Sequence, residues 1–193
     1  MEMKQAVLIT LSLLFAGCAS TEVTENDTGF AQSPNLEAFV GCYRNCSNPS
    51  DGSAPVCLTS ILWPDGYTSE TRPEAVLIQK GNGNSLIASA ISDGVVLTHS
   101  RFQEGEEFEF KAGLLELKRE YIASGAREPG NPFIGVVTSK TVLGLDASGQ
   151  GRISQSTAFA GTGFLIIPVA GKISDTQKIE RAPRELCERR SQS

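Results

Sequence analysis

The catalytic chemistry open to this chain is limited first by its single histidine, His99. Histidine is the commonest general base, and beside a serine it would activate a nucleophile. On an alternating strand from Val95 to Phe102, His99 shares a face with Leu97 and Arg101. We interpret it as a rim histidine at the end of a strand. Because no G-x-S-x-G turn is present to expose a nucleophile, we predict no catalytic residue.

A cluster of four carboxylates is the other candidate for acid–base chemistry. Glu104, Glu106, Glu107 and Glu109 lie within six residues of one another. Glycoside hydrolysis needs two carboxylates that face each other across a cleft. Charges along a strand also protect its edge from pairing with other chains, which is the simpler explanation. A hydrolase is therefore the least favoured function.

The only tryptophan, Trp63, has two interpretations. An exposed indole would be a stacking platform for a sugar or another ligand. We favour the alternative, in which the ring is buried against the Trp63-Pro64 turn.

An apolar segment near the start, Ala6 to Phe15, follows Lys4 and ends in Ala16-Gly17-Cys18. The stretch from Leu11 to Cys18 resembles the lipobox of bacterial lipoproteins. The resemblance implies a signal peptide over residues 1–17 and a lipid anchor, palmitate included, on Cys18. One alternative is a plain secretory signal that is cut after Ala19, which would remove Cys18. The other is a transmembrane helix, but the apolar segment is too short to cross about 30 Å of hydrocarbon.

The resemblance also implies a location. The residue after the cysteine is Ala19, not the aspartate that commonly retains lipoproteins in the inner membrane. We therefore expect an outer-membrane protein that faces the periplasm. Residues 18–35 are rich in Ser, Thr and Glu and carry three negative charges, so we predict a lipidated flexible tether. No basic cluster is present to neutralise a phosphate backbone, so nucleic acid is not an expected partner.

Four further cysteines, Cys42, Cys46, Cys57 and Cys187, form an even set. In an exported domain such a set predicts a disulfide framework, for which three connectivities exist. We favour Cys46–Cys57, which would close the turn around Asn48 to Gly52, together with Cys42–Cys187; Cys42–Cys46 is the main rival. Their irregular spacing argues against a zinc site, and we predict neither a metal nor a cofactor.

Residues 36–193 are predicted to form a single β-rich domain. Short apolar segments recur at intervals of about ten residues and alternate with Gly-rich turns. We predict strands at residues 39–43, 56–63, 75–79, 86–91, 95–102, 107–111, 133–139, 141–145, 152–159 and 163–169. Residues 114–122 have the composition of a helix but the alternation of a strand, and we favour a strand. A short C-terminal helix, interrupted by Pro183, is expected between Asp175 and Arg190.

This pattern indicates a mainly β fold: an antiparallel β-sandwich or an up-and-down barrel of lipocalin-like pattern. We expect a non-enzymatic envelope protein that acts through a protein partner and therefore has a filled interior. The residues expected to fill it are Val95, Leu97, Phe108, Phe110, Leu115 and Leu117. The alternative is a carrier whose barrel holds a lipid or another apolar ligand. Its cavity would be lined by small residues, for which the candidates are Ala88, Ala90, Gly135, Gly144, Ala158, Ala160 and Gly163.

Overall fold

The computed structural model describes residues 29–65, 71–118, 122–124, 133–163 and 167–188. The predicted signal peptide, Cys18 and the first part of the predicted tether lie outside these residues. The described chain is mainly β, with very little helix, as predicted.

The first sheet has four antiparallel strands in the order β1-β2-β3-β4. They are β1 (Gly41–Arg44), β2 (Ala75–Lys80), β3 (Ser85–Ser92) and β4 (Val95–Gln103). Strands β2 to β4 confirm the prediction because their turns have a clear local signal. Asp93 and Gly94, between β3 and β4, have φ angles of 51° and 72°. Positive φ at both central residues is the requirement of a type I′ hairpin turn.

The second sheet has the order β10-β9-β8-β6-β5, and β7 also pairs with β8. Its strands are β5 (Phe108–Lys111), β6 (Leu114–Leu117), β7 (Ile122–Ser124), β8 (Phe133–Leu145), β9 (Gly151–Gly163) and β10 (Ile167–Ile179). The ambiguous segment thus begins as a strand, as we favoured. Residues 133–145 form one long strand where we expected two short ones.

The two sheets do not close into a barrel, so the sandwich is the predicted architecture that fits. One apolar core includes residues of both sheets, among them Val76 and Phe102 from the first and Leu143 and Ile153 from the second. After β10 the chain crosses to the first sheet and pairs with β1. The amide of Arg44 donates to the carbonyl of Glu180 (2.8 Å), and that of Ala182 to the carbonyl of Cys42 (2.9 Å).

Arg181 stabilises the segment that crosses from β10 to the first sheet. Its guanidinium donates to the carbonyl oxygens of Gly149 (2.6 Å), Val40 (3.1 Å) and Ala38 (2.6 Å). The same group lies 5.1 Å from the centre of the Tyr43 ring. Burial raises the pKa of Tyr43, and the nearby Arg181 charge opposes that rise. Neutral tyrosine and charged arginine therefore pack together at the seam between the sheets.

The predicted interior residues are only partly correct. Phe108 and Leu115 are 2% and 3% exposed, and Phe110 and Leu117 pack partly buried against the same core. Val95 is 53% exposed, so its assignment to the interior is wrong. It directly follows the Asp93-Gly94 turn at the end of the outermost strand, beyond the core. A register shift between Ala90 and Ile91 also leaves Leu97 without a partner on β3, and Leu97 is half-buried.

The predicted strand at residues 56–63 is wrong. Residues Leu58–Leu62 form a short helix, α1, whose Leu58, Ile61 and Leu62 side chains are buried. A spacing of three and four residues places these side chains on one helical face. The buried side chain of Asn45 caps the first turn. Its Oδ1 accepts hydrogen bonds from the Thr59 amide (3.1 Å) and the Thr59 hydroxyl (3.0 Å).

The predicted C-terminal helix is also wrong over its first residues, since Asp175 to Ile179 continue β10. Every residue of β10 has a partner on β9, from Ile167 opposite Gly163 to Ile179 opposite Gly151. This pairing satisfies the backbone and overrides the helix-forming composition. Among the described residues of the predicted helix, Arg184–Leu186 form a 3₁₀ turn, directly after Pro183.

The N-terminal residues of the described chain, 29–35, pack against the second sheet, so the predicted tether is too long at this end. The Ala31 amide donates to the Leu145 carbonyl (2.7 Å), and Ser33 is buried. The Phe30 ring occupies the space above Gly144, where a Cβ would overlap the ring. The packed domain therefore includes residues 29–35.

Gly144→Val is expected to detach this segment. A Cβ at position 144 would overlap the Phe30 ring and lie 2.8 Å from Leu114 Cδ2. Overpacking of this kind costs about 1–3 kcal/mol, which expulsion of Phe30 would relieve. Limited proteolysis should then cut within residues 29–35. Phe30→Ala, which removes the ring without overpacking, should show the same new cleavage. A Gly144→Val protein as resistant as wild type would contradict the packing of Phe30.

Candidate functional site

His99 lies on β4 directly opposite Ser89 of β3, on the face that also carries Cys42 and Leu77. The His99 side chain is exposed and Ser89 is buried. No hydrogen bond links the two side chains in the described structure. The pair therefore lacks the contact that would make His99 the base for a serine nucleophile.

The carboxylate cluster takes part in local structural contacts. Glu107 Oε2 accepts a hydrogen bond from the Gln103 amide (2.7 Å), and Glu109 pairs with Lys111 and with Lys118 (3.2 Å). The hydrogen bonds from Lys111 and then Lys118 lower the pKa of the Glu109 carboxyl. A general acid for glycoside cleavage needs a raised pKa, so the shift has the wrong direction. Within the described chain, no group of three or more His, Cys, Asp or Glu residues could hold a metal ion.

Trp63 is half-buried at the edge of the core. Its indole Nε1 donates to Ser100 Oγ (2.8 Å), and its ring meets Phe102 edge-to-face with 6.3 Å between centroids. Buried tryptophans usually find a partner for the indole N–H in this way. The ring packs in the protein, in line with the interpretation we favoured.

The structure joins Cys42 to Cys187 and Cys46 to Cys57, which is the connectivity favoured from the sequence. The two bridges have different surroundings. Cys42 and Cys187 are 5% and 9% exposed and pack with Ala75 and Ile91. Cys46 and Cys57 are half-buried beside an open cavity. The first bridge ties the C-terminal segment to the sheet, and the second faces solvent.

That cavity, of about 530 Å³, was not anticipated from the sequence. We call it the arginine cleft because two guanidinium groups, those of Arg44 and Arg72, line it. Its lining residues are Arg44, Asn45, Cys46, Arg72, Pro73, Glu74 and Leu186. It lies where the start of β2 and the C-terminal 3₁₀ turn meet β1.

Buried Asn45 forms hydrogen bonds with other residues that line the arginine cleft. Its Nδ2 donates to the Pro73 carbonyl (3.0 Å), and its backbone amide donates to the Glu74 carbonyl (2.9 Å). The pairing of Arg44 with Ala75 then sets β1 beside this segment. The position of the Arg72 backbone follows from these contacts, because Arg72 directly precedes Pro73.

The charges of the arginine cleft favour an anion. Arg72 Nη2 lies 3.3 Å from Cys46 Sγ and 3.8 Å from Cys57 Sγ. Arg44 Nε lies 3.5 Å from Glu180 Oε2, and both side chains are more than half exposed. Arg44 and Arg72 thus share the cleft lining with one acidic residue, Glu74. Guanidinium is suited to carboxylate, sulfonate or phosphate groups, which it can bind through two hydrogen bonds.

A second surface feature is the β-arm, which we define as residues 133–141 of β8, 155–163 of β9 and 167–175 of β10. Among the side chains of these three strands that the structure describes, the buried ones begin at Leu143, Ile153 and Gln177. Within the β-arm, Ile173 is 64% exposed on one face and Val136 is 50% exposed on the other. The β-arm therefore extends past the core with apolar side chains in solvent.

Comparison with protein-family models, with curated proteins and with solved structures finds no match for this chain. None of the helices in the described ranges is both long and apolar enough to span a membrane.

Proposed function

We propose that this chain is a lipid-anchored protein of the bacterial cell envelope that acts non-enzymatically by binding a protein partner through the β-arm. The lipobox-like segment ending at Cys18 supports the anchor and an outer-membrane location facing the periplasm. The two disulfides fit a protein that is exported to an oxidising compartment.

The observation that carries the proposal is the β-arm. Strands β8, β9 and β10 each have 13 residues, about 40 Å of extended chain, and their buried side chains, among those the structure describes, lie at one end. β10 is the last strand of its sheet, and no described strand pairs with its outer edge, where a strand of a partner could be added. Proteins commonly recognise partners by adding a strand to such an edge, with exposed side chains that supply specificity. Ile173, on β10 itself, would be covered in the complex.

The carrier alternative has no supporting observation among the described residues. The sheets do not form the closed barrel on which a lipocalin-like carrier depends. Ala88 and Ala90 are 3% and 0% exposed within the packed sheet, and the space above Gly144 holds the Phe30 ring. Ala158 and Ala160, two other candidates for a cavity lining, are exposed on β9.

Photo-crosslinking in cells tests the proposal. A photoreactive amino acid in place of Ile173 is expected to give one discrete adduct of higher mass in the membrane fraction, because the β-arm side chain would lie against the partner. The matched control is the same substitution at Val95, which is 53% exposed but outside the β-arm and should give no adduct. The same substitution at Val136, on the opposite face of β8 and two strands from the β10 edge, should give a weaker adduct than Ile173.

The anchor is tested in the same cells. Cys18→Ser is expected to leave the protein unprocessed and mislocalised, so that the adduct is lost. Absence of an adduct at both Ile173 and Val136 would contradict the partner-binding proposal. A stoichiometric apolar molecule found by native mass measurement would favour the carrier instead.

A further inference from the structure

We propose that the Cys46–Cys57 disulfide is a thiol–disulfide exchange site for a small anionic thiol, which Arg44 and Arg72 would bind in the arginine cleft. The inference is independent of the partner-binding proposal, since it rests on a different part of the molecule.

The two disulfides differ in how easily a thiol in solution can reach their sulfur atoms. Exchange requires an attacking thiolate to reach one of the sulfur atoms. Cys46 lines the arginine cleft, and both members of its bridge are half-buried. Cys42 and Cys187 instead pack in an apolar cluster with Ala75 and Ile91. Cys46–Cys57 is therefore the bridge that a thiol in solution can reach.

Arg72 places a positive charge beside the sulfur atoms of the Cys46–Cys57 disulfide. Its Nη2 lies within 3.3 Å of Cys46 Sγ and 3.8 Å of Cys57 Sγ. A nearby guanidinium lowers the free energy of a thiolate, and a better-stabilised thiolate leaves a disulfide faster. Among the described residues Arg72 has no ion-pair partner, so no carboxylate draws its guanidinium away from the sulfurs.

The dimensions and charge of the arginine cleft point to the class of thiol. A volume of about 530 Å³ is in the range of small-molecule sites. Arg44 and Arg72 outnumber the one acidic residue of the lining, Glu74, although Glu180, outside the lining, also pairs with Arg44. Glu180 approaches Arg44 at Nε (3.5 Å), and the Arg44 side chain is 57% exposed, so an incoming carboxylate or sulfonate can reach its guanidinium. A thiol with such a group is favoured over a neutral or cationic one.

The reaction follows ordinary exchange chemistry. The thiolate attacks Cys46 Sγ, a bond forms between the two sulfurs, and the Sγ–Sγ bond breaks. Its electron pair leaves with Cys57 Sγ as a thiolate beside Arg72. A second thiolate then attacks the mixed disulfide and releases Cys46. Two small thiols are oxidised to one small disulfide, the protein bridge gains two electrons, and the two protons of the small thiols end on Cys46 and Cys57.

The test uses the oxidised full-length protein in detergent and three probes: 2-mercaptoethanesulfonate (anionic), 2-mercaptoethanol (neutral) and 2-mercaptoethylamine (cationic). Samples are alkylated at intervals, and peptide masses report each cysteine separately. We expect Cys46 and Cys57 to be reduced at least about tenfold faster than Cys42 and Cys187. At equal thiolate concentration the anionic probe should be several-fold faster than the cationic one, and added salt should narrow the difference.

Three variants separate the roles of the arginines. Arg72→Gln should slow reduction of Cys46–Cys57 by all three probes, because the leaving thiolate loses its counter-charge. Arg44→Gln should slow only the anionic probe. Arg101→Gln, which changes an exposed arginine of β4 outside the arginine cleft, is the matched control and should change nothing.

Reduction of both disulfides at the same rate, or of Cys42–Cys187 first, would overturn the proposal. The same holds if the preference for the anionic probe is undiminished in both Arg44→Gln and Arg72→Gln, because the arginine cleft would then not select the thiol.

Discussion

Replacing Cys42 and Cys187 together by alanine is expected to lower the free energy of unfolding by up to about 5 kcal/mol. The bridge joins residues separated by 145 positions, so it removes a large loop entropy from the unfolded chain. It also holds the C-terminal 3₁₀ turn against the face of the first sheet that carries Cys42, Ala75 and Ile91. Without it, this face would be exposed to solvent.

Denaturant unfolding at equilibrium, with no reductant, measures this effect. The matched control is the double substitution Cys46→Ala and Cys57→Ala. That bridge spans only 11 positions, and the same entropy model gives about 3 kcal/mol for it. If removal of the short bridge costs as much as removal of the long one, the C-terminal segment is not held by Cys42–Cys187 in the way the structure indicates.

Phe108→Ala is expected to cost about 3–5 kcal/mol, since truncation of a buried aromatic side chain leaves a cavity. The ring is 2% exposed in the core that both sheets share. Urea unfolding should show a lower midpoint with an unchanged slope, because the surface exposed on unfolding remains similar.

Ile173→Ala is the control for this substitution. The side chain is 64% exposed on the β-arm, and truncation should change stability by less than about 0.5 kcal/mol. A comparable loss from Ile173→Ala and Phe108→Ala would mean that the β-arm is part of the core. It would also remove the basis for a partner surface there.

The sequence predicts those parts of the fold whose signal is local. Strands β2, β3 and β4 are separated by Gly-containing turns, and each turn selects its geometry from residues that are adjacent in the chain. Phe108 and Phe110 alternate with charged residues, so both rings point to one face whatever surrounds them. The even set of cysteines likewise predicts two disulfides without any knowledge of the fold.

The sequence signal is weaker where a distant partner decides between helix and strand. Residues 58–62 form a helix because Asn45, from another part of the chain, accepts hydrogen bonds from the Thr59 amide and hydroxyl. Residues 175–179 form a strand because β9 satisfies their backbone groups. In both cases tertiary hydrogen bonds outweigh the small differences in intrinsic propensity.

By itself, then, the sequence determined a mainly β chain with two disulfides, because alternation, turns and cysteine number are local or countable properties. Only the tertiary structure decided which residues meet. The pairing of β1 with β2 brings Arg44 and Arg72 to one cleft, and Arg72 beside the Cys46–Cys57 bridge. The same structure leaves Val95 exposed and places Phe30 over Gly144. These contacts join residues far apart in the chain, and their geometry depends on strand register and on where the core ends, which no local pattern contains.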